Sequence, residues 1–252
     1  MMKWIKRLMV ALISIFAICM VVSGIERIRG KSGWTGRHAP RGMYERAFKR
    51  PLDILFVVMV LLVIWPLVLV LAMLVRLRLG SPILFKQERP GLDTKKFIIY
   101  KFRSMTNECD SEGNLLPDEL RLSRFGKWLR RTSLDELPEL INILKGDMSL
   151  VGPRPLLDRY LPYYTERENR RHDVRPGLTG LAQIHGRNLV GWDERLSLDV
   201  LYSENITFWG DIKILFKTLG SVLSKDGVAG NAYDVETLLD VERVESKRYD
   251  YE

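Results

Sequence analysis

Uncharged and polar stretches alternate along the chain, and two uncharged runs are long enough to raise a membrane question. Leu8 to Ile25 carries no charge, with Lys3, Lys6 and Arg7 before it and Arg27, Arg29, Lys31 and Arg37 after it. It lacks a small-x-small cleavage site, and its length matches a short spanning helix. The slight excess of basic residues after it places the rest of the chain in the cytoplasm by the positive-inside rule. The second run, Ile54 to Val75, is interrupted once, by Pro66 in IWPL. Proline removes a helix hydrogen bond and bends the axis, which leaves halves too short to cross a core of about 30 Å singly. Basic residues flank both ends: Arg46, Lys49 and Arg50 on one side, Arg76 and Arg78 on the other. A helix that dips in and returns accounts for this symmetry, and a spanning helix with a tolerated proline accounts for it nearly as well. Asp53 beside Arg50 reads as an interfacial ion pair and tilts the balance toward the re-entrant form.

Beyond Gly80 the pattern is that of a folded domain. PILFKQERPG and KKFIIYKFRSM predict two strands around a turn at Pro90-Gly91. Residues 106–118 are polar and read as a surface loop. Periodicity predicts a helix from Glu119 to Arg131 with Leu122, Phe125 and Leu129 on one face, and Arg121, Arg124, Lys127 and Arg130 on the others. The next helix carries Leu137, Leu140, Ile141 and Leu144 and stops at Gly146. A loop LVGPRP, a polar helix near 156–171, a turn at RPGLTG and two further helices complete the order. The last helix sets Ile212, Leu215, Phe216, Leu219 and Val222 on one side beside Lys213 and Lys217. This pattern suits a membrane interface, although a face turned to the core is the more ordinary reading. The divisions read from the sequence are an N-terminal apolar segment at 1–30, a linker at 31–48, a re-entrant membrane helix at 49–78 and a cytoplasmic domain at 79–252.

Composition narrows the function. Apolar residues make up 46% of the chain and charged residues 28%, which excludes disorder and a multi-pass transporter alike. A net charge of +8 from 39 basic and 31 acidic residues calls for an anionic partner. Cys19 and Cys109 sit in unlike surroundings, one apolar and one polar, and neither belongs to a metal-type spacing. No Walker or dinucleotide glycine loop occurs, and the histidines, at 38, 172 and 185, have no ligand spacing.

Chemistry concentrates in RRTSLDELPEL, residues 130–140. Ser133 to Glu136 fits a helix-capping box, and acidic residues favour helix N-termini in any case. Pro138 opposes that reading, because a helix begun at Ser133 would put it where an N–H is needed. A start at Asp135 puts the proline in the first turn and Asp135 among free N–H groups beside Arg130 and Arg131. Such a setting keeps a carboxylate ionised and attracts phosphate. By spacing alone the capping role remains the commoner use of such a pair.

The ordered set YKFRSM, RRTSLDELPELINILKGDMSLVGPRP and RPGLTGLAQIHGRN resembles the monotopic phosphoglycosyl transferases, also called the bacterial sugar transferase family, from about Lys49 to Val222. The apolar segment with its central proline resembles that family's re-entrant helix, with Trp65 standing where a small polar residue is usual. The resemblance implies an α+β, mostly helical, membrane-embedded transferase with a proline-kinked helix and a cytoplasmic catalytic domain containing a small β-hairpin, held at the bacterial inner membrane. It implies transfer of a sugar-1-phosphate from a UDP-sugar to undecaprenyl phosphate with release of UMP and with Mg2+ as cofactor, as the first membrane step of glycan synthesis. Asp135 would be the nucleophile and a magnesium ligand, and Glu136 its partner. Arg130 and Arg154 would bind phosphate, with Lys101 and Arg175 as weaker candidates. Pro66 would break the membrane helix, and Pro153 and Pro155 would stiffen the loop that aims Arg154. The stretch GRNLVGWDERLSLDVLY resembles small members that act on N-acetylated sugars. The expected partners are the two substrates and membrane lipid, with no nucleic acid; a homodimer stays open. A membrane-anchored scaffold of the same family, without catalysis, is the alternative.

Overall fold

The computed structural model describes residues 42–185, 191–224 and 238–249, with residues 14, 17–22, 24 and 25. Most of the N-terminal apolar segment, the linker as far as residue 41 and residues 186–190 of the GRN motif lie outside the described residues.

The second apolar run forms one long helix. A π-helical turn, Tyr44–Phe48, leads directly into α1, Lys49–Leu79. Its 31 residues, at about 1.5 Å each, extend roughly 46 Å. Pro66 lies inside it. The ends of α1 are packed and its middle is bare. Ile54, Val57, Leu71 and Val75 are buried, whereas Leu62, Val63, Trp65, Leu67 and Leu69 are exposed. Together Tyr44–Leu79 is long and apolar enough to cross a membrane by length and composition.

The predicted hairpin forms. Strands β1, Leu84–Pro90, and β2, Lys96–Phe102, pair antiparallel with Phe85 opposite Lys101. The single predicted helix over 119–131 is two: α2, Asp118–Arg121, and α3, Arg124–Arg131. Leu122 is extended, and the Ser123 hydroxyl accepts the Gly126 N–H, which restarts the helix. A Cβ at Gly126 would lie 1.7 Å from the Ser104 carbonyl oxygen, so only glycine lets α3 press on the strand-exit segment.

The helix after the carboxylate pair begins late. Leu134–Glu136 is a 3-10 turn, and α4 spans Glu139–Lys145, ending at Gly146 with φ of 86°. Its buried positions are Glu139, Leu140, Asn142 and Ile143, while the predicted core residue Ile141 is exposed. The 3-10 lead-in rotates the apolar face away from the pattern an unbroken helix would show.

The RPGLTG segment, read as a turn, supplies a strand. β3, Ser149–Val151, pairs parallel with β4, Gly177–Thr179. The polar helix expected near 156–171 is instead a 3-10 stretch, Asp158–Tyr163, then α5, Glu166–Asn169, and a 3-10 turn, Arg170–Asp173. Pro162 and the Thr165 capping box divide it. Then come α6, Leu181–Ile184, α7, Trp192–Glu204, α8, Phe208–Ser224, and α9, Leu239–Tyr249. The main core gathers Val57 of α1, Ile99 of β2, Leu140 and Ile143 of α4, Leu150, Tyr202 and Ile214. A second cluster joins Leu71 and Val75 of α1 to Phe102 and Leu129. The face of α8 predicted to turn inward is split: Leu215 packs partly buried on the core, but Phe216 and Leu219 are exposed. The buried residue is Ile214, outside the predicted set, and Trp209 is exposed as well.

Candidate active site

The site grows from the way α4 is fastened to β2. Asn142, fully buried, accepts the Tyr100 N–H through Oδ1 at 3.1 Å and donates through Nδ2 to the Ile98 carbonyl at 2.7 Å. A side-chain amide thus completes the free edge of β2, where an unpaired buried backbone group would be expensive. Lys101 is the next residue along that strand. Its Nζ reaches Glu136 Oε1 at 2.7 Å and Glu139 Oε1 at 3.1 Å.

A second cation comes from the GPRP loop. Arg154 donates through a terminal nitrogen to Glu136 Oε1 at 2.7 Å. The loop is fixed through consecutive carbonyls. Pro153 O accepts the Gly177 N–H at 2.9 Å, Arg154 O accepts from Arg171 at 2.6 Å, and Pro155 O faces an Arg89 nitrogen at 3.4 Å. Arg171 is itself held by Asp199 through two nitrogens, at 3.1 and 2.7 Å, in a fully buried pair. Gly152 and Gly177 make the approach possible, since a Cβ on Gly177 would lie 2.1 Å from the Gly152 nitrogen. Pro153 and Pro155 therefore sit in a loop restrained by hydrogen bonds as well as by ring closure.

Asp135 differs from its neighbour. It is buried, and among the described residues no hydrogen bond reaches its carboxylate. The capping reading fails locally: Ser133 is left-handed at φ of 53° and its side chain caps nothing. Burial, seconded by the charge of Glu136, pushes the Asp135 carboxyl up to about 6, against the pull of Lys101, Arg130 and Arg154. The expected environment favouring ionisation is thus outweighed by desolvation, though a value near 6 still leaves the group mostly ionised at neutral pH. Burial alone would also raise Glu136, but Arg154 and Lys101 overcome it and hold that carboxyl well below its usual range. Glu139 moves upward, through burial and then through repulsion by Glu136.

Lys101, Glu136 and Arg154 are thus brought into one cluster, with Asp135 adjoining. Arg130 stands at its edge, its Nε donating to Ser104 Oγ at 2.9 Å while its charge acts on Asp135. Arg175 goes elsewhere. Buried, it donates through Nε to Gly146 O at 2.8 Å, at the opposite end of α4 from the carboxylate pair. Pro66 belongs to α1 rather than to this cluster. The Asp53 carboxylate accepts from Ser149 Oγ at 2.5 Å and lies within the electrostatic reach of Lys49 and Arg50.

Sequence reasoning missed Glu139, Arg89 and the pair Arg171–Asp199. Glu139 was detectable, because residues three apart on a helical turn share a face. The other contacts are tertiary and left no local signal. For magnesium, Asp135 offers an unbonded carboxylate. One or two carboxylates completed by substrate phosphates are an ordinary magnesium set, so the residues fit. Among the described residues no group of three or more His, Cys, Asp or Glu side chains converges to hold a metal alone.

Comparison with known proteins gives a consistent picture. The family model described as bacterial sugar transferase matches residues 44–225. The uncharacterized sugar transferase EpsL of Bacillus subtilis is 58% identical over 154 residues, covering 61% of this chain and 76% of that protein. The UDP-glucose:undecaprenyl-phosphate glucose-1-phosphate transferase of Caulobacter vibrioides is 39% identical over 202 residues, 73% of this chain and 72% of the relative. The undecaprenyl-phosphate galactose phosphotransferase of Salmonella typhimurium is 40% identical over 200 residues, 73% of this chain but only 42% of its own length. The chain thus spans less than half of some relatives and about three quarters of others.

Proposed function

Since this chain belongs to the bacterial sugar transferase family, we propose that it transfers a sugar-1-phosphate from a UDP-sugar to undecaprenyl phosphate and releases UMP. Relatives whose names state this type of reaction support the general chemistry. The observation that carries the residue assignment is the asymmetry of the carboxylate pair: Glu136 is engaged by Lys101 and Arg154, while Asp135 beside it is unbonded among the described residues.

In this reading an Asp135 oxygen attacks the sugar-bearing phosphorus. The bond from that phosphorus to the UMP oxygen breaks, UMP leaves with the electron pair, and an aspartyl phosphosugar remains. An oxygen of the lipid phosphate then attacks the same phosphorus and frees Asp135. Lys101, Arg130 and Arg154 neutralise charge on the phosphoryl oxygens, the largest requirement of phosphoryl transfer. Arriving phosphates compete with Glu136 for Lys101 and Arg154, so its carboxylate is released to receive or orient the acceptor's proton. Magnesium, held by Asp135 with substrate phosphates, would supply further screening of the diphosphate charge.

The membrane placement belongs to the same proposal. Both ends of α1 grip one domain: Lys49 pairs with Asp211 at 2.6 Å near its start, and Arg103 bonds the Leu79 and Ser81 carbonyls at its end. This supports a re-entrant helix, whose bare middle dips into lipid while its ends remain on the cytoplasmic face of the inner membrane. The exposed Trp209, Phe216 and Leu219 of α8 support a second lipid-facing surface. The donor is proposed to be N-acetylated, although relatives are named for galactose, glucose and N-acetylgalactosamine.

The test is UMP release by the full chain in nanodiscs with magnesium, undecaprenyl phosphate and a panel of UDP-sugars. Release with one donor, lost in Asp135→Asn, is the expected result. Release unchanged in the variant removes Asp135 as the nucleophile, and no release with any donor favours the scaffold reading.

A further inference from the structure

Helix α3 has two unlike faces. Phe125, Gly126 and Leu129 turn inward, and Leu129 packs with Leu71 and Val75 in the last turns of α1. Arg124, Lys127, Trp128 and Arg131 have the i, i+3, i+4, i+7 spacing of a single helix face, and all four are exposed. The helix contains no acidic residue. Among the described residues Arg124, Lys127 and Arg131 make no ion pair or side-chain hydrogen bond. Neither do Arg76 and Arg78, exposed in the last turn of α1. Trp128 stacks on Phe125 with ring centroids 5.8 Å apart and keeps 38% of its surface exposed. Elsewhere on the surface Lys96, Arg159 and Arg170 each have an acidic partner, whereas Lys213 and Lys217 of α8 have none among the described residues.

We propose that the Arg124–Lys127–Trp128–Arg131 face of α3, continued by Arg76 and Arg78, is a docking surface for anionic phospholipid headgroups. The inference rests on the membrane placement of α1 argued above. Charge complementarity identifies the occupant, and continuity with the apolar surface of α1 identifies its setting. Unpaired arginine and lysine beside an exposed indole, next to the end of an apolar helix, form the pattern that favours the headgroup layer. Nucleic acid would match the charge but not the adjoining bare stretch of Leu62 to Val70. Arg130, on the same helix, points instead to Ser104 and the carboxylate pair. Anionic lipid on the outer face therefore fixes the height and tilt of the helix that carries Arg130 to the site.

The experiment uses the full chain in nanodiscs of equal phosphatidylglycerol and phosphatidylcholine, with retained lipid counted by native mass spectrometry. The native chain should keep phosphatidylglycerol in clear excess. Each interfacial cation contributes about a fivefold preference. The variant Lys127→Gln should therefore lower the ratio by about that factor, and Arg124→Gln/Lys127→Gln/Arg131→Gln should lower it by about a hundredfold, leaving only the share held by Arg76 and Arg78. An equal ratio for the native chain, including one that selects only added undecaprenyl phosphate, overturns the proposal. So does a ratio left undiminished by both variants. A chain that enters no nanodisc refutes the membrane placement and the docking surface together, whereas entry without lipid preference refutes the docking surface alone.

Discussion

Two buried charged clusters in this protein are built from similar parts and finished differently. At the root of α1, Asp211 accepts from Lys49 at 2.6 Å, from the Tyr44 hydroxyl at 2.7 Å and lies 2.9 Å from the Tyr202 hydroxyl. Nearby, Asp53 accepts from Ser149. Each of these carboxylates has its partners. At the candidate active site Glu136 is equally well supplied, yet Asp135 has no hydrogen bond among the described residues. A carboxylate whose lone pairs are taken serves as a rivet. One kept buried and unbonded beside cations is left available for the proposed attack on phosphorus, and the fold tolerates the electrostatic penalty because Lys101 and Arg154 stand close.

Substitution at each cluster should separate the two roles. Asp135→Asn is expected to reduce UMP release by about a thousandfold or more, the scale for losing a covalent nucleophile. Its melting temperature should hold or rise slightly, because a desolvated acid is replaced by a neutral group of the same shape. Asp211→Asn should do the reverse. It leaves Lys49 buried without its carboxylate, a loss of about 3–5 kcal/mol in folding free energy, while activity per folded molecule changes little. Thermal denaturation in nanodiscs, read beside UMP release, distinguishes these; equal effects on both readouts in both variants would abolish the contrast.

Smaller effects sharpen it. Arg154→Lys keeps the charge but removes the guanidinium fork proposed to hold substrate phosphate, so kcat/KM should fall about tenfold to a hundredfold with little change in stability. The UMP burst should rise with pH through about 6, where the Asp135 carboxyl loses its proton, and then level off. A burst that falls across this range would mean that the protonated form is the active one. The mildest change concerns Glu139, whose proton affinity is raised by folding. The native state then holds a proton that the unfolded chain releases, so stability declines as pH rises above the ordinary glutamate range. Glu139→Gln should flatten that decline and raise the melting temperature by a few degrees at about pH 8 but hardly at about pH 5.

Much of the fold was legible in the chain. The hairpin around Pro90-Gly91, the stop at Gly146 and the long apolar helix arise from turn chemistry and hydrophobic pattern, which act over a few residues. The misreadings have local causes of their own. The helix over 119–131 breaks because the Ser123 hydroxyl offers the backbone a better start than Leu122 continuing it. The RPGLTG turn became a strand because Gly152 and Gly177 allow two backbones to meet. At the site, the Asp-Glu pair, Lys101 and the GPRP arginine were all visible as residue types in ordered motifs. The predicted role of Arg175 was not matched in place, since its guanidinium serves the carbonyl at the far end of α4.

The amino-acid sequence by itself determined which chemical groups are present, the long apolar run and the order of the motifs. Only the tertiary structure decided that Glu136 would be bound by Lys101 and Arg154 while Asp135 stayed unbonded among the described residues, and that Glu139 would join them. Those outcomes depend on Asn142 seating α4 against β2 and on Asp199 holding Arg171 beneath the Arg154 backbone. The physical reason is range. Propensity and periodicity act between near neighbours, whereas desolvation and charge pairing are set by whichever distant segments packing brings within hydrogen-bond reach.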